Sequence, residues 1–113
     1  MSTFLWYLAS PYSKFTHGHE AAYREVSRIH ARLLSSGLDV FCPIGHGHGL
    51  TVYGALDPVD AELWGRIDLP FVQRCNGLIV ARMPGWDRSA GVAHEIRQFA
   101  QSGRPIVYTD PVP

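Results

Sequence analysis

Short apolar runs alternate with amphipathic stretches along this chain, and the alternation predicts the order of its strands and helices. The apolar runs are continuous, which is typical of strands buried on both faces of a parallel sheet. With right-handed crossovers, these elements predict a small doubly wound α/β fold, flavodoxin-like or Rossmann-like, with four or five strands and helices on both faces. The predicted strands are residues 4–9, 38–42, 77–81 and 105–109.

Three helices are expected between these strands. Residues 20–36 carry apolar side chains at helical spacing along one stripe. A second helix is expected to open at Asp57, its N-cap, with a kink or a fresh start where Pro70 interrupts it. A third begins after Ser89, a natural N-cap. Residues 44–56 are rich in Gly and His and are predicted to form a loop.

The composition limits the classes of function. The 113 residues are expected to form one domain, 1–113, around a single core. Ten basic residues balance ten acidic ones without a basic patch, which disfavours nucleic-acid binding. Neither a signal peptide within residues 1–10 nor an apolar run of transmembrane length is predicted, so we expect a cytoplasmic protein without membrane contact. Cys42 and Cys75 fit no disulfide or CxxC pattern and are expected to be free thiols.

The site is expected beyond the carboxyl ends of the strands, where ligands of open α/β sheets bind. Three loops are predicted to meet there: residues 10–18, 43–56 and 82–88. Ser10 and Ser13 of the first loop could bind sugar or phosphate oxygens, although a polar loop is the commoner explanation.

Glu95 is the first candidate for chemistry. Helical side chains lean toward the helix N-terminus, so Glu95 is expected to lie over the turn that contains Gly91. Ser89 and the free amides of that turn would hold an anion beside it. A first-turn Glu can also merely complement the helix dipole, and the residues alone leave both interpretations open. The neighbouring His94 projects about 100° away and is expected to face elsewhere.

Asp68 and Tyr7 are weaker candidates on their own. Asp68 precedes Pro70 in apolar surroundings, where it could cap a restarted helix or, with a raised pKa, donate a proton. The cap is the simpler interpretation, and core packing is the simpler role for Tyr7. If Asp68 and Glu95 reach one cleft, however, they match the carboxyl pair of a retaining glycosidase, about 5 Å apart.

His46 and His48 are separated by one residue, and alternate residues on an extended segment share a side. A metal would need at least a third ligand, and nothing in the spacing demands one. We therefore predict no metal and no cofactor, and favour contact between these imidazoles and a substrate. The residues that could in principle complete a metal site are His17, His19, Asp57 and Asp60.

Several segments together resemble the nucleoside 2-deoxyribosyltransferase superfamily. They are YLASPYS at residues 7–13, Gly37-Leu-Asp-Val followed by Pro43, Asp68 ahead of Cys75-Asn76, and GWDRSAGVAHEI at residues 85–96. The second loop reads P-I-x-H-x-H, as in a short branch of that superfamily, and the resemblance covers nearly the whole chain. Its most specific part, S-x-G-x-x-x-E from Ser89 to Glu95, looks like the nucleophile motif of the branch that hydrolyses nucleoside 5′-monophosphates.

The resemblance implies a role for each matching residue. Glu95 would attack C1′ of the (deoxy)ribose, Asp68 would assist departure of the base, and Tyr7 would position the nucleophile or the sugar. The family also implies a homodimer. Two positions depart from the pattern: Asn76 replaces a common acidic residue, and the first loop lacks an Arg of the hydrolase branch. The predicted substrate-binding residues are Ser10, Ser13, His46, His48, Asp87, Ser89 and Gly91.

Three functions remain in competition at this point. The favoured one is hydrolysis of the N-glycosidic bond of a (deoxy)nucleoside 5′-monophosphate, or transfer of its deoxyribosyl group, through Glu95. The second is a non-catalytic nucleotide-binding or sensor domain on the same scaffold. The third is a metal-dependent hydrolase built on His46 and His48.

Overall fold

Four parallel strands form one sheet in the order β2-β1-β3-β4. The computed structural model describes residues 4–113, so residues 1–3 of the segment considered for a signal peptide lie outside the described part. The strands are β1 Leu5–Ala9, β2 Asp39–Phe41, β3 Gly77–Ala81 and β4 Ile106–Thr109. The helices are α1 His19–Ser35, α2 Pro43–Val52, α3 Ala61–Arg74 and α4 Ala90–Gln101, with a 3₁₀ turn at Trp86–Arg88.

Helices cover both faces of this sheet. Leu8 and Ile79 are in register on adjacent strands and pack with Val26 of α1 on one face. Tyr7 and its register partner Leu78 face the other way, toward α3 and α4. All five residues of β3 are buried, which explains why the apolar runs of the sequence are continuous. The predicted doubly wound α/β fold is therefore confirmed, with four strands.

The order in which the chain adds strands to the sheet reverses between β1 and β3. From β1 the chain crosses through α1 to β2 on one side, and from β3 it crosses through α4 to β4 on the other. The connections that leave β1 and β3 therefore diverge and open a crevice at the carboxyl ends of these strands. Such switch points are where open α/β sheets bind ligands.

Residues 43–52 form helix α2, so the prediction of a loop over residues 44–56 is wrong in most of its length. The helix begins with Pro43 in its first turn, and the Cys42 sulfur accepts a hydrogen bond from the Gly45 amide at 3.4 Å. Three glycines disfavour a helix locally. Packing compensates, because Gly47 lies directly against the Trp64 ring, where an added Cβ would come within 2.8 Å of the indole.

Helix α3 also differs from the prediction. Its N-cap is Asp60, whose carboxylate accepts from the Leu63 amide at 3.1 Å, whereas Asp57 accepts from the Val59 amide in the preceding turn. The helix then continues through Pro70 without a fresh start. Asp68 consequently lies inside the helix and caps nothing, so its simpler interpretation as an N-cap is wrong.

Helix α4 begins as predicted. Ser89 is its N-cap, and the serine hydroxyl accepts a hydrogen bond from the Val92 amide at 3.2 Å. Cys42 and Cys75 are buried free thiols, as expected. Asn76 has a structural role, because its side chain accepts from the Leu5 amide at 2.8 Å and so anchors the start of β1. Within residues 4–113, no helix combines the length and apolarity needed to cross a membrane.

Gly85 holds the first loop against the turn before α4, and this contact predicts a stability effect. Its φ is 93°, and a Cβ there would overlap the carbonyl oxygen of Lys14. The left-handed conformation alone costs a side chain about 1–2 kcal/mol, before any overlap. We therefore expect Gly85→Ala to lower the midpoint of thermal unfolding by about 8 °C or more in calorimetry.

Gly49→Ala provides the matched control. Gly49 lies in α2 with open space around it, so alanine there should leave the unfolding midpoint unchanged or raise it. An equal midpoint for Gly85→Ala and the unmodified protein would contradict this account of the loop contact.

Candidate active site

A cavity of about 500 Å³ lies at the carboxyl ends of the strands. Its walls are the loop after β1, helix α2, helix α3 with the turn before it, and the first turns of α4. Residues 82–88, which were predicted to contribute a third loop, are not among the residues that line it. Seven of the predicted site residues line this one cavity: Ser10, Ser13, His48, Asp68, Ser89, Gly91 and Glu95.

The other three predicted site residues do not line the cavity. Tyr7 is fully buried in the core beneath it. Asp87 is exposed in the 3₁₀ turn before α4. His46 and His48 diverge because residues two apart on a helix point about 200° from each other. His46 lies instead 5.6 Å from the Phe71 ring, measured between ring centroids.

Glu95 lies in the second turn of α4, where the cavity meets the core, so the interpretation of a first-turn Glu that complements the helix dipole is wrong. Burial raises the pKa of its carboxyl to about 8, and the nearby charge of Asp68 also raises it. The Tyr7 hydroxyl opposes this rise in pKa, because it favours the charged carboxylate. Glu95 is thus a partly buried acid that borders both the cavity and the Tyr7 hydroxyl.

Asp68 reaches the same cavity from α3. Burial raises the pKa of its carboxyl to about 6, and the His46 ring nearby partly opposes the rise. Burial therefore makes both carboxyls hold a proton to a higher pH than free acids do. Two titratable groups with perturbed pKa values in one cavity are typical of a functional site.

The Tyr7 hydroxyl connects the core to the two carboxyls. It is buried, and it forms no hydrogen bond of standard geometry with any of residues 4–113. Burial, and then the charges of Glu95 and Asp68, raise the pKa of Tyr7 far above its usual range. The hydroxyl therefore stays protonated and is available as a donor. A buried donor beside an acid favours the ionised form of that acid, because the carboxylate is the stronger acceptor.

The N-terminus of α4, one turn before Glu95, has the features of an anion site. Ser89 satisfies only the Val92 amide, and Gly91 leaves the space in front of the turn open. The buried Ser10 hydroxyl has no hydrogen-bond partner among residues 4–113 and lines the same cavity. Lys14 is the only Lys or Arg among the described residues of the lining. The cavity thus pairs a helix start, with its free amides and positive dipole end, with one cation.

Several lining residues escaped the sequence analysis. His94 was expected to face elsewhere, yet it lines the cavity. Trp64 and Thr51 line it because α2 is a helix packed against α3, which the loop prediction could not anticipate. Lys14 had a usable signal, since it is the single lysine of the chain and follows β1 in the first loop.

The structure removes the geometric basis of the metal hypothesis. That hypothesis required His46 and His48 to share a side of an extended segment, whereas both lie on α2 and only His48 reaches the cavity. Among residues 4–113, no group of three or more His, Cys, Asp or Glu is arranged to hold a metal ion.

The raised pKa values of the carboxyls predict how stability depends on pH. Between about pH 4.5 and 8 the folded protein binds more protons than the unfolded chain, so the free energy of unfolding falls as the pH rises. Glu95→Gln removes the contribution of Glu95. Its unfolding midpoint should match that of the unmodified protein near pH 4 and exceed it by about 10 °C or more at pH 9.

Glu62→Gln is the control for this series, since Glu62 is exposed in the first turn of α3. Its midpoint should differ from that of the unmodified protein by the same amount at every pH. If Glu95→Gln is less stable than the unmodified protein at pH 9, burial of the ionised Glu95 carboxylate does not destabilise the fold, and this account of its pKa is wrong.

Comparison with known proteins gives one family. A search of curated proteins found no match to the chain. The sequence profile of DUF1937, a domain of unknown function, matches residues 5–110. The match includes all four strands and all four helices described above. The chain therefore belongs to the DUF1937 family.

Proposed function

We propose that this protein hydrolyses the N-glycosidic bond of a (deoxy)nucleoside 5′-monophosphate, with Glu95 as the nucleophile and Asp68 as the acid. The observation that carries the proposal is the shared cavity: two carboxyls on different helices, both with raised pKa values, border one space of about 500 Å³. That volume suits a small-molecule ligand. Retaining glycosidases also act through a pair of carboxyls that flank the bond to be broken.

The proposed reaction has two steps. In the first, a Glu95 oxygen bonds to C1′ while the C1′–N bond breaks, and Asp68 gives its proton to the departing base. In the second, the Asp68 carboxylate takes a proton from water, whose oxygen bonds to C1′ as the ester to Glu95 breaks. The products are the free base and the sugar phosphate, and both carboxyls return to their starting states.

The protonation states of the free protein bear on this assignment. The reactive form has the proton on Asp68 and an ionised Glu95, and burial disfavours the ionised state of both carboxyls in the free protein. That form is intrinsically the more reactive one, because a carboxylate of higher pKa is the stronger nucleophile and a carboxyl of lower pKa the stronger acid. Tyr7 increases its population by favouring ionised Glu95.

The start of α4 supports a phosphate-bearing substrate. A 5′-phosphate at the open turn of Ser89 and Gly91 would meet free amides and the helix dipole. Lys14 adds a positive charge from the first loop. These groups lie one turn from Glu95 on the same helix, so a ligand held there by its phosphate would present its sugar near the carboxyls.

The likeness of this chain to the nucleoside 2-deoxyribosyltransferase superfamily supports the same proposal. In that superfamily, residues matching the motif from Ser89 to Glu95, Asp68 and Tyr7 act in one reaction. Transfer to an acceptor nucleoside differs from hydrolysis only in the group that attacks in the second step, and hydrolysis is the reaction we propose. The homodimer and the cytoplasmic location stay predictions.

The direct test incubates the purified protein with a panel of ribonucleoside and deoxyribonucleoside 5′-monophosphates and measures free base by chromatography. We expect base release from at least one of them. Glu95→Gln should lower kcat/KM by about 100-fold or more, and Asp68→Asn should do so as well, because each removes a group that acts in the transition state. Glu62→Gln, on the same helix as Asp68 but outside the cavity, should retain full activity.

Two outcomes would contradict the proposal. Full activity of Glu95→Gln would show that Glu95 is not the nucleophile. Absence of base release from every nucleotide, combined with thermal stabilisation by one of them, would favour the non-catalytic nucleotide-binding alternative. A ligand at 100 times its dissociation constant stabilises the folded state by about 2.7 kcal/mol, so the stabilisation would be measurable.

A further inference from the structure

Another wall of the cavity carries a chain of hydrogen bonds that the proposed chemistry does not use. His48 of α2 is 8% exposed and is the one buried polar or charged residue of the described chain. Its Nδ1 lies 2.7 Å from the Tyr12 hydroxyl, and its Nε2 lies 3.0 Å from Oε2 of Glu20 on α1. Tyr12 and His48 both line the cavity. These two hydrogen bonds connect Glu20 at the surface, through His48, to Tyr12 at the cavity, and we call them the Glu20–His48–Tyr12 chain.

Aromatic stacking fixes both rings of this chain. The His48 ring stacks on Tyr23 with centroids 4.4 Å apart and an interplanar angle of 11°. The Tyr12 ring stacks on His19 at 4.3 Å and 10°. Neither ring can turn without losing its stacking partner. The hydrogen bonds are therefore held in one geometry.

The carboxylate partner of His48 assigns the direction of one hydrogen bond, and the direction of the other follows for a neutral ring. A carboxylate only accepts, so Nε2 must donate to Glu20. In a neutral imidazole the remaining nitrogen, Nδ1, is an acceptor, and it takes the hydrogen of the Tyr12 hydroxyl. The phenolic oxygen of Tyr12 then has only lone pairs left for a ligand. Tyr12 thus becomes an acceptor of fixed polarity.

The other hydroxyls of this wall have no fixed polarity. Thr51, one turn after His48 on α2, and Ser10, at the end of β1, both line the cavity. Neither buried hydroxyl forms a hydrogen bond of standard geometry among residues 4–113, and Thr51 lies close to the Tyr12 hydroxyl. A free hydroxyl rotates to donate or to accept, so it tolerates either kind of ligand group. Discrimination at this wall therefore depends on Tyr12.

We propose that the Glu20–His48–Tyr12 chain is the specificity element of the cavity and selects a ligand with a hydrogen-bond donor at this wall. The inference rests on the proposed function, and there it names the substrate class: nucleotides whose base carries an amino group, as in adenine or cytosine, over their keto counterparts, hypoxanthine or uracil. A keto oxygen would face the Tyr12 oxygen acceptor to acceptor, and both would lose their hydrogen bonds on leaving water.

The first measurement tests the chain without any ligand. Nitrogen-15 chemical shifts of the imidazole distinguish a protonated from an unprotonated ring nitrogen, and they should show His48 with hydrogen on Nε2 and none on Nδ1. Hydrogen on Nδ1, in either the other tautomer or the charged ring, would overturn the inference, because Tyr12 would then be free to donate.

The second measurement compares ligand pairs by calorimetry in the Glu95→Gln background, where turnover is suppressed. The pairs are AMP with IMP and CMP with UMP. In each pair that binds, we expect the amino-bearing member to bind about tenfold more tightly. Adding Tyr12→Phe should bring the ratio of dissociation constants close to one. Adding Tyr23→Phe, which retains the ring stacked on His48, should leave the ratio unchanged.

The outcomes separate this inference from the proposed function. Equal or reversed affinities, or a preference that survives Tyr12→Phe, would overturn the inference while base release by the unmodified protein still supports the proposed function. If no nucleotide binds and none loses its base, the proposed function fails, and the inferred substrate class fails with it.

Discussion

The packing of α3 and α4 on one face of the sheet brings two carboxyls into a single cavity, and the rest of the site depends on this packing. Val72 of α3 and Val92 of α4 belong to the core cluster that also contains Tyr7. Burial of these apolar side chains stabilises the fold. The same burial places Asp68 and Glu95 where their charged forms are disfavoured. Burial of these two carboxyls destabilises the folded state, and the same burial shifts their pKa values toward those that the proposed reaction uses.

The cavity divides its tasks between two walls. Helices α3 and α4 supply acids and an open helix start, whereas α1, α2 and the first loop supply a stacked hydrogen-bond chain ending at Tyr12. The sheet separates these tasks because α1 covers one face and α3 and α4 cover the other. The crevice at the carboxyl ends of β1 and β3 is where groups from both layers meet.

Local signals in the sequence were enough for the strands and for α4. The strands are continuous apolar runs, and Ser89 caps α4 through a bond to its own near neighbour, so both follow from short-range chemistry. Helix α2 and the interior position of Asp68 were missed because they depend on distant contacts. Gly47 packs against Trp64 of α3, and no local propensity of a glycine-rich segment reveals that contact. Pairing of Asp68 with Glu95 likewise requires the fold.

Mass spectrometry of a trapped intermediate tests the proposed function most directly. A nucleoside 5′-monophosphate with fluorine at C2′ should form the ester to the enzyme and then hydrolyse slowly, because fluorine disfavours the positive charge that develops at the sugar in both steps. The protein mass should increase by one fluorinated sugar phosphate, located on Glu95 by peptide mapping. The same mass on Asp68, or base release with no adduct at any time, would contradict it.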